Sequence, residues 1–250
     1  METRKSKVKR LISDFLPSNL KDFITQEYFT SHLYLKYQNR SFSKEGEDLI
    51  LADLFYGLND GFYIDIGAFH PIHYSNTFKF YLQGWHGINI DARPNSMTEF
   101  QKIRPRDINL EIAISDKIEM LDYHIYDAHS LNTFSNEKVL DRTKSGQKSN
   151  ELINIQTVKL SDILDKYIEI GQEIHFMSVD VEGFELNVLK SNNWNKFRPL
   201  VLVIEKLKNI RNKENDIIEK YLLKCGYKII CNTPNNIFLL DEKNEININL

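Results

Sequence analysis

The stretch Phe62-Tyr63-Ile64-Asp65-Ile66-Gly67-Ala68 decides the fold of this chain. Its first five residues are mostly apolar or aromatic, which predicts a short buried strand, and Gly67 permits a sharp turn at the strand's end. Ser75 can cap a helix after this turn, since apolar residues then recur at helical spacing. A buried strand followed by a helix is the repeating unit of mostly parallel α/β sheets.

The same alternation of strand and helix continues along the rest of the chain. Further strands are predicted over residues 87–91, 108–115, 175–180 and 199–205, and helices begin near residues 94, 161 and 214. Residues 227–231 and 237–240 flank a turn-forming segment and predict a closing β-hairpin. The sequence thus predicts one α/β domain over residues 46–250 and a helical extension over residues 1–45.

Composition and charge narrow the class of protein. The chain has 250 residues, 42% of them apolar, and a net charge of −3, which excludes disorder of the whole chain and a dominantly electrostatic nucleic-acid binder. Cys225 and Cys231 cannot form a disulfide framework, and no apolar stretch reaches the length of a membrane span. Residues 1–20 lack the apolar segment of a signal peptide, so we expect a soluble, cytoplasmic protein.

The N-terminal segment has a local basic bias. Five Lys and Arg residues within residues 4–10 precede an amphipathic stretch over residues 11–16. A basic amphipathic helix of this kind can lie on an anionic membrane surface. More often such a segment is a solvated arm that packs on its own domain or on a second copy of the chain in a homodimer, and we favour this interpretation.

The turn Asp65-Ile66-Gly67-Ala68 is the first candidate ligand site. In open α/β sheets ligands bind beyond the carboxyl ends of the strands, where the strand order reverses. Only Gly67 of the three glycines in a dinucleotide fingerprint is present, so a pyrophosphate has no evident cradle. This predicts a nucleoside ligand without phosphates, unless the turn has a purely structural use.

The other strand ends add acidic residues to the same edge. Asp91 ends the second strand, where a carboxylate can accept hydrogen bonds from ribose hydroxyls. The third strand ends in Ala113-Ile114-Ser115-Asp116, which is suited to flank an adenine, and the fourth ends in Asp180-Val181-Glu182-Gly183. A negative edge favours a cationic ligand over a phosphate, and S-adenosylmethionine, an adenosine with a sulfonium, fits this description.

The chain resembles the FkbM family of S-adenosylmethionine-dependent methyltransferases over about residues 42–205. The segments that carry the resemblance are Phe42 to Asp48, Phe62 to Pro71, Ser75-Asn76-Thr77, Gly87 to Asp91, Arg104 to Leu110, Leu131 to Phe134, and Asp180 to Glu185. The resemblance implies a Rossmann-like class I methyltransferase fold with a seven-stranded sheet whose last strand is antiparallel. It also implies that Asn76 joins Asp65, Gly67, Ala68, Asp91, Ala113, Ser115 and Asp116 in binding the cofactor.

Two positions depart from the family pattern. Many relatives have a second histidine where this chain has Phe69, and the usual glutamine after Ser43 is replaced by Lys44. Lys44 can change contacts with the amino-acid end of the cofactor or with the acceptor. Neither departure removes a residue of the expected cofactor site.

Transfer of a methyl group to a hydroxyl is helped by a base that removes the hydroxyl proton. His70, which follows the cofactor turn directly, is the first candidate, although it can instead hold the turn through hydrogen bonds. Asp180 and Glu182 are the other expected catalytic residues. They are alternatively the ligands of a divalent cation, but we favour a site without metal because the sequence shows no complete ligand set.

The acceptor is expected to bind beneath a polar loop over residues 127–150. We expect His73, His129, Asn132 and Thr133 to contact the acceptor, and the tip over residues 142–149 to be mobile without it. The expected reaction is O-methylation of a sugar, as a nucleotide-sugar or a cell-surface glycan precursor. The alternatives are a non-sugar natural-product hydroxyl, a non-catalytic cofactor-binding scaffold and a nicotinamide oxidoreductase, against which the missing glycines argue.

Overall fold

The computed structural model of the chain describes residues 38–206 and 213–243. Its strands are β1 (Phe62–Ile66), β2 (His86–Asp91), β3 (Ile108–Glu111), β4 (Ala113–Ile114), β5 (Met120–Ile125), β6 (Glu151–Val158), β7 (Phe176–Val179), β8 (Val201–Glu205), β9 (Tyr227–Asn232) and β10 (Asn236–Asp241). Its α-helices are α1 (Glu47–Leu54), α2 (Phe78–Leu82), α3 (Met97–Ile103), α4 (Asn136–Lys144), α5 (Leu160–Tyr167), α6 (Glu185–Lys190) and α7 (Lys213–Lys224).

The residues from Ser41 onward form one compact unit. The expected basic segment and most of the expected N-terminal extension, residues 1–37, lie outside the described residues. Across the described ranges, no helix combines the length and the apolar character that a membrane span requires.

Seven strands form one sheet in the order β3-β2-β1-β7-β8-β10-β9. The central strand β1 pairs in parallel with β2 and with β7, so that Tyr63 lies opposite both Gly87 and Phe176. Strand β10 runs antiparallel to β8 and to β9, which confirms the predicted closing hairpin. This strand order, with one antiparallel strand inserted near the end, is the class I methyltransferase fold that the resemblance implies.

The sheet is covered on both faces because alternate residues of its strands enter two different apolar clusters. On β1, Ile64 and Ile66 join a cluster with Leu160 and Leu164 of α5. The intervening Tyr63 packs into a second cluster on the opposite face. Burial on both faces explains why the strand reads as an apolar run in the sequence.

The strand order reverses beside β1, and this reversal positions the site. The chain builds β1, β2 and β3 outward in one direction, then returns to place β7 and β8 on the other side of β1. Loops that leave β1 and β7 therefore diverge and open a crevice at their carboxyl ends.

The predicted third strand over residues 108–115 is wrong in one respect, because the structure divides it in two. Strand β3 pairs with β2 in the main sheet, whereas β4 pairs with β6 in a separate three-stranded sheet with β5. The amide of Ile112, between the two parts, donates to the carbonyl of Asp91. The alternation of residues continues without a break from Ile108 to Ser115 and gave no sign of this change of partner.

The polar segment over residues 127–150 is also more regular than predicted. It contains helix α4, whose N-cap Ser135 accepts a hydrogen bond from the amide of Lys138 at 3.3 Å. The large apolar residue of this helix, Leu140, is 61% exposed and so does not face the core. Without an apolar stripe the hydrophobic periodicity that reveals helices is missing.

Candidate active site

One pocket opens at the carboxyl ends of β1, β2, β7 and β8. The space between its walls is about 1140 Å³, including the part open to solvent. Of the residues predicted for the site, the structure brings to its walls Asp65, Gly67, Ala68, Asn76, Asp91, His129, Asn132, Asp180 and Glu182. Ala113, Ser115, Asp116, His70, His73 and Thr133 are not among the residues that line it.

Gly67 makes the crevice possible. Its φ is +82°, and a Cβ at this position would lie 1.7 Å from the carbonyl oxygen of Asp180. The amides of Gly67 and Ala68 both donate to the carbonyl of Ile90, at 2.9 and 3.0 Å. The turn is thus fixed against β2 and β7 at once, and only glycine fits there.

Asp65 lies in β1, two residues before Gly67, and is only 5% exposed. The hydroxyl of Thr77 donates to its Oδ2 at 2.8 Å. Burial raises the pKa of the Asp65 carboxyl to about 6, although the nearby Arg104 guanidinium and the Thr77 hydroxyl oppose the shift. Burial disfavours the anionic form of Asp65, and a cationic ligand beside it would stabilise that form.

A buried polar network that the sequence analysis missed supports Asp65 from behind. Arg104 is fully buried and donates to Asp107 at 2.8 Å and to the hydroxyl of Tyr63 at 2.8 Å. Its Nη1 lies 3.4 Å from Ser75 Oγ, which in turn contacts the Thr77 hydroxyl at 3.2 Å. The segment over residues 104–110 therefore supports the cofactor turn without lining the pocket.

Asp91 ends β2 and is held by two backbone amides. The amide of Phe69 donates to its Oδ2 at 2.9 Å, and the amide of Arg93 donates to its Oδ1 at 2.8 Å. Burial raises the pKa of this carboxyl against the effect of these bonds. Each oxygen retains a lone pair, so the geometry fits a pair of ribose hydroxyls.

The expected adenine-flanking residues require a correction. Ala113 and Ser115 are buried away from the pocket, while their neighbours Ile112 and Ile114 line it. Asp116 instead accepts a hydrogen bond from the Asn187 side chain at 2.9 Å. Successive side chains of an extended strand point to opposite sides, so the prediction chose the right strand and the wrong face.

Asn76 fits the expectation that it belongs to the pocket. It lines the wall, and its side-chain amide donates to Ser178 Oγ on β7 at 3.0 Å. This bond ties the segment after the cofactor turn to the adjacent strand.

The three candidate histidines have different surroundings. His70 Nδ1 accepts hydrogen bonds from the amides of Ile72 and His73 at 3.0 and 2.9 Å, and its Nε2 lies 3.4 Å from surface Glu99. His70 therefore holds the turn and is not placed as a base for a ligand in the pocket. His73 is exposed and does not line the pocket, and its ring lies against that of the pocket residue Tyr74, with centroids 3.7 Å apart.

His129 is the histidine of this group that lines the pocket. Its Nδ1 lies 3.1 Å from the carbonyl oxygen of Tyr126, which can only accept a hydrogen bond. The hydrogen-bond network thus assigns the ring hydrogen to Nδ1 and leaves Nε2 of the neutral ring as a proton acceptor.

Asn132 and Thr133 occupy different positions although they are adjacent. Asn132 lines the pocket and accepts from the amide of Tyr126 at 2.9 Å, while its buried Nδ2 has no hydrogen-bond partner within the described part of the chain. Thr133 is 1% exposed and donates to the carbonyl of Glu182 at 2.7 Å, so it supports the wall from outside.

Three carboxylates meet on the side of the pocket formed by β7 and β8. Ligand oxygens of Asp180, Glu182 and Glu205 all lie within 4.8 Å of one another. Glu205 was not among the predicted residues, although an acidic residue ending an apolar strand is the signal that identified the other strand ends. Its pKa is raised well above the usual range by burial and by the Asp180 carboxylate.

Asp180 and Glu182 differ in how their charges are met. Asp180 faces the open pocket. The pocket walls displace water from its carboxylate and the negative charge of Glu182 repels it, so the pKa of Asp180 rises to about 7. Glu182, whose φ is +53°, accepts from Lys138 at 3.1 Å and from Arg142 at 2.6 Å. Both cations come from α4, which anchors this helix beside the pocket.

The fold and the site together define the chain as a class I methyltransferase-type protein. It belongs to the FkbM methyltransferase family, since the family model for the methyltransferase FkbM domain matches residues 65–229. This confirms the resemblance given by the sequence motifs.

The chain is also similar, at low sequence identity, to solved structures of other proteins. The chain is similar to the C-terminal domain of precorrin-6Y C5,15-methyltransferase from Rhodobacter capsulatus, with 10% identity, a TM-score of 0.40, and coverage of 81% of this chain and 90% of that chain. It is similar to the METTL16 MTase domain, with 14% identity, a TM-score of 0.41, and coverage of 78% and 65%. No curated protein matches the sequence.

Proposed function

We propose that this protein is an S-adenosylmethionine-dependent O-methyltransferase that acts on a hydroxyl of a sugar or glycan precursor. The observation that carries the proposal is a single pocket with two chemically different halves. The first half has the carboxylates Asp65 and Asp91 of β1 and β2. The second half has Asp180, Glu182 and Glu205 at the ends of β7 and β8, together with His129 from the segment after β5.

The first half suits the proposed cofactor. S-adenosylmethionine supplies an electrophilic methyl group bonded to a sulfonium. Asp91 would accept the ribose hydroxyls, Ile112 and Ile114 would flank the adenine, and the negative charge of Asp65 favours a cationic ligand. The absence of a Cβ at Gly67 lets this turn pack against the backbone of Asp180, and the turn forms part of the pocket wall.

The second half suits a polyhydroxylated acceptor. Its walls mix hydrogen-bonding groups with aromatic faces, notably Asn132, Asn236 and His129 beside Phe134 and Phe184. The unpartnered Nδ2 of Asn132 is a buried donor, and a hydroxyl oxygen of the acceptor would satisfy it.

The chain's own residues have to align the acceptor and receive its proton. We assign proton removal to Nε2 of His129, because Nδ1 is engaged with the Tyr126 carbonyl. The proton then passes from the imidazolium to solvent at this exposed position. Asp180 and Glu182 hold the acceptor so that its oxygen faces the transferred carbon in line.

The test is a screen of nucleotide-sugars with S-adenosylmethionine, with S-adenosylhomocysteine and the methylated product measured together. Asn132→Ala should raise the acceptor KM or lower kcat, yet leave S-adenosylhomocysteine affinity within about 0.5 kcal/mol. If only non-sugar hydroxyls are methylated, the acceptor is a non-sugar compound and the proposed sugar class is wrong.

A binding comparison separates the remaining candidate functions. S-adenosylhomocysteine should raise the melting temperature and NAD should not. Stabilisation by NAD instead would favour an oxidoreductase, and cofactor binding with no transfer to any acceptor would favour a scaffold.

A further inference from the structure

The carboxylate group of Asp180, Glu182 and Glu205 brings three hard oxygen ligands to one place. Asp180 follows β7, Glu182 lies two residues later, and Glu205 ends the neighbouring strand β8. One oxygen from each lies within 4.8 Å of the other two. The parallel register of β7 and β8 is what brings these separate segments together.

Glu205 provides a second observation, independent of the proximity. The residue is 8% exposed, lines the pocket, and its Oε2 has no hydrogen-bond partner among the residues that the structure describes. A buried carboxylate oxygen in this state costs folding free energy unless a ligand or a proton satisfies it. A bound ion is one explanation for such a group in a native protein.

The charges around the group do not balance within the protein. Both ion pairs to this group in the described ranges, from Lys138 and Arg142, end on the same oxygen of Glu182. Glu185 adds a buried carboxylate nearby, although its Oε1 accepts from the amides of Val181 and Gly183. Lys44 faces Asp180 across the pocket and remains at its exposed rim.

We propose that Asp180, Glu182 and Glu205 bind one hard divalent cation of the Mg²⁺ or Mn²⁺ class. Oxygen-only ligation with a few protein carboxylates and remaining positions for water or substrate is the coordination that these ions prefer. The ion would coordinate the acceptor hydroxyl and make its proton easier for His129 to remove. This catalytic role rests on the proposed function, whereas the binding of the ion does not.

The preference drawn from the sequence was for a site without metal. That preference depended on a ligand set that ended at Asp180 and Glu182. Glu205 completes the set only in the folded chain, since 23 positions separate it from Glu182 in the sequence (205 − 182).

The test measures Mn²⁺ binding to the full chain by electron paramagnetic resonance, without methyl donor or acceptor. The wild-type protein should bind one Mn²⁺ that Mg²⁺ displaces. Glu205→Gln should weaken binding by at least about tenfold, because even groups that only orient a metal ligand are worth that much. Asp165→Asn, at an exposed carboxylate on α5, is the matched control and should bind Mn²⁺ like the wild type.

Thermal unfolding guards against a variant that fails to fold. Mg²⁺ should raise the melting temperature of the wild type, and Glu205→Gln should be at least as stable as the metal-free wild type because it removes a crowded charge. The added Mg²⁺ should then have no effect on the variant. Wild-type protein that binds no Mn²⁺, or a Glu205→Gln variant that binds it equally well, would mean that the group is satisfied by a shared proton and would overturn the proposal.

The result for the cation site can be distinguished from the result for the proposed methyl transfer. Mn²⁺ binding by a protein that methylates no acceptor would leave the cation site standing and remove the reaction. Full methylation after dialysis against EDTA, with no Mn²⁺ signal, would remove the cation and leave the reaction.

Discussion

Asp91 offers the sharpest test at the scale of single residues. Its two oxygens accept backbone amides at 2.8 and 2.9 Å and remain available to ribose hydroxyls. Asp91→Ala should weaken S-adenosylhomocysteine binding by about 1–3 kcal/mol, the loss expected for unpaired donors. Calorimetry measures this, with exposed Glu111→Ala as the control, and an unchanged affinity would remove Asp91 from the site.

The ionised carboxylate of Asp65 should lower the stability of the folded protein but strengthen the binding of the proposed cofactor. Its folded pKa of about 6 lies above the usual aspartate value of 3.8, so the ionised carboxylate destabilises the folded state. The stability linked to its proton is fully present below pH 3.8 and is lost as the pH rises through about 6.

Asp65→Asn should therefore be more stable than the wild type without ligand, by a difference that is small near pH 4 and grows to about 3 kcal/mol at pH 7. The same variant should bind S-adenosylhomocysteine more weakly at pH 7. Denaturant unfolding across this pH range measures the difference, and a difference that does not change with pH would contradict the role of Asp65 ionisation.

The histidines give a prediction with a built-in control. His129→Ala should lower kcat by about 10²–10⁴-fold with little change in S-adenosylhomocysteine affinity, because a general base acts in the chemical step. His73→Ala removes an exposed ring outside the pocket and should keep the wild-type rate. Comparable rates for both variants would assign the proton to another group.

At the scale of elements, helix α4 is held beside the pocket by a few polar contacts. Arg142 is 8% exposed, pairs with Glu182 and also donates to the carbonyl of Leu131. The expectation of a mobile tip over residues 142–149 therefore fails at its first residue, which is anchored. The segment from Thr133 to Arg142 works as one support for the acceptor side.

Arg142→Gln should loosen this support. We expect a higher acceptor KM and a lower melting temperature, while S-adenosylhomocysteine affinity stays within about 0.5 kcal/mol because the cofactor half is not touched. Lys144→Gln is the control, since its pair with Asp141 is exposed on the same helix. Equal KM values for the two variants would show that α4 does not shape the acceptor site.

At the scale of the whole molecule, the sheet explains why acidic groups dominate the pocket of a chain with a net charge of only −3. Parallel strands deliver their carboxyl ends to one edge, and β1, β2, β7 and β8 each contribute an acidic residue there. The local sequence places one acidic residue at the end of each strand, and the parallel arrangement of the strands brings these residues together at one edge. An acidic edge of this kind attracts positively charged ligands.

The sequence by itself determined the elements that depend on local pattern. The buried strands β1, β7 and β8 are apolar runs, the turn at Gly67 requires a positive φ, and the terminal hairpin follows from turn residues between two strands. These features are visible because strand burial and turn geometry are decided by neighbours in the chain. The cofactor half of the candidate site, centred on Asp65, Gly67 and Asp91, followed from them.

Only the tertiary structure decided which side chains meet. Ile112 and Ile114 face the pocket instead of Ala113 and Ser115, His129 lines it instead of His70, and Glu205 joins Asp180 and Glu182. The first outcome depends on the face a strand presents, the second on how two loops fold, and the third on the register between separate strands. A shift of one residue in a strand reverses its choice of face while leaving the local pattern intact, which is why sequence pattern alone could not make that choice.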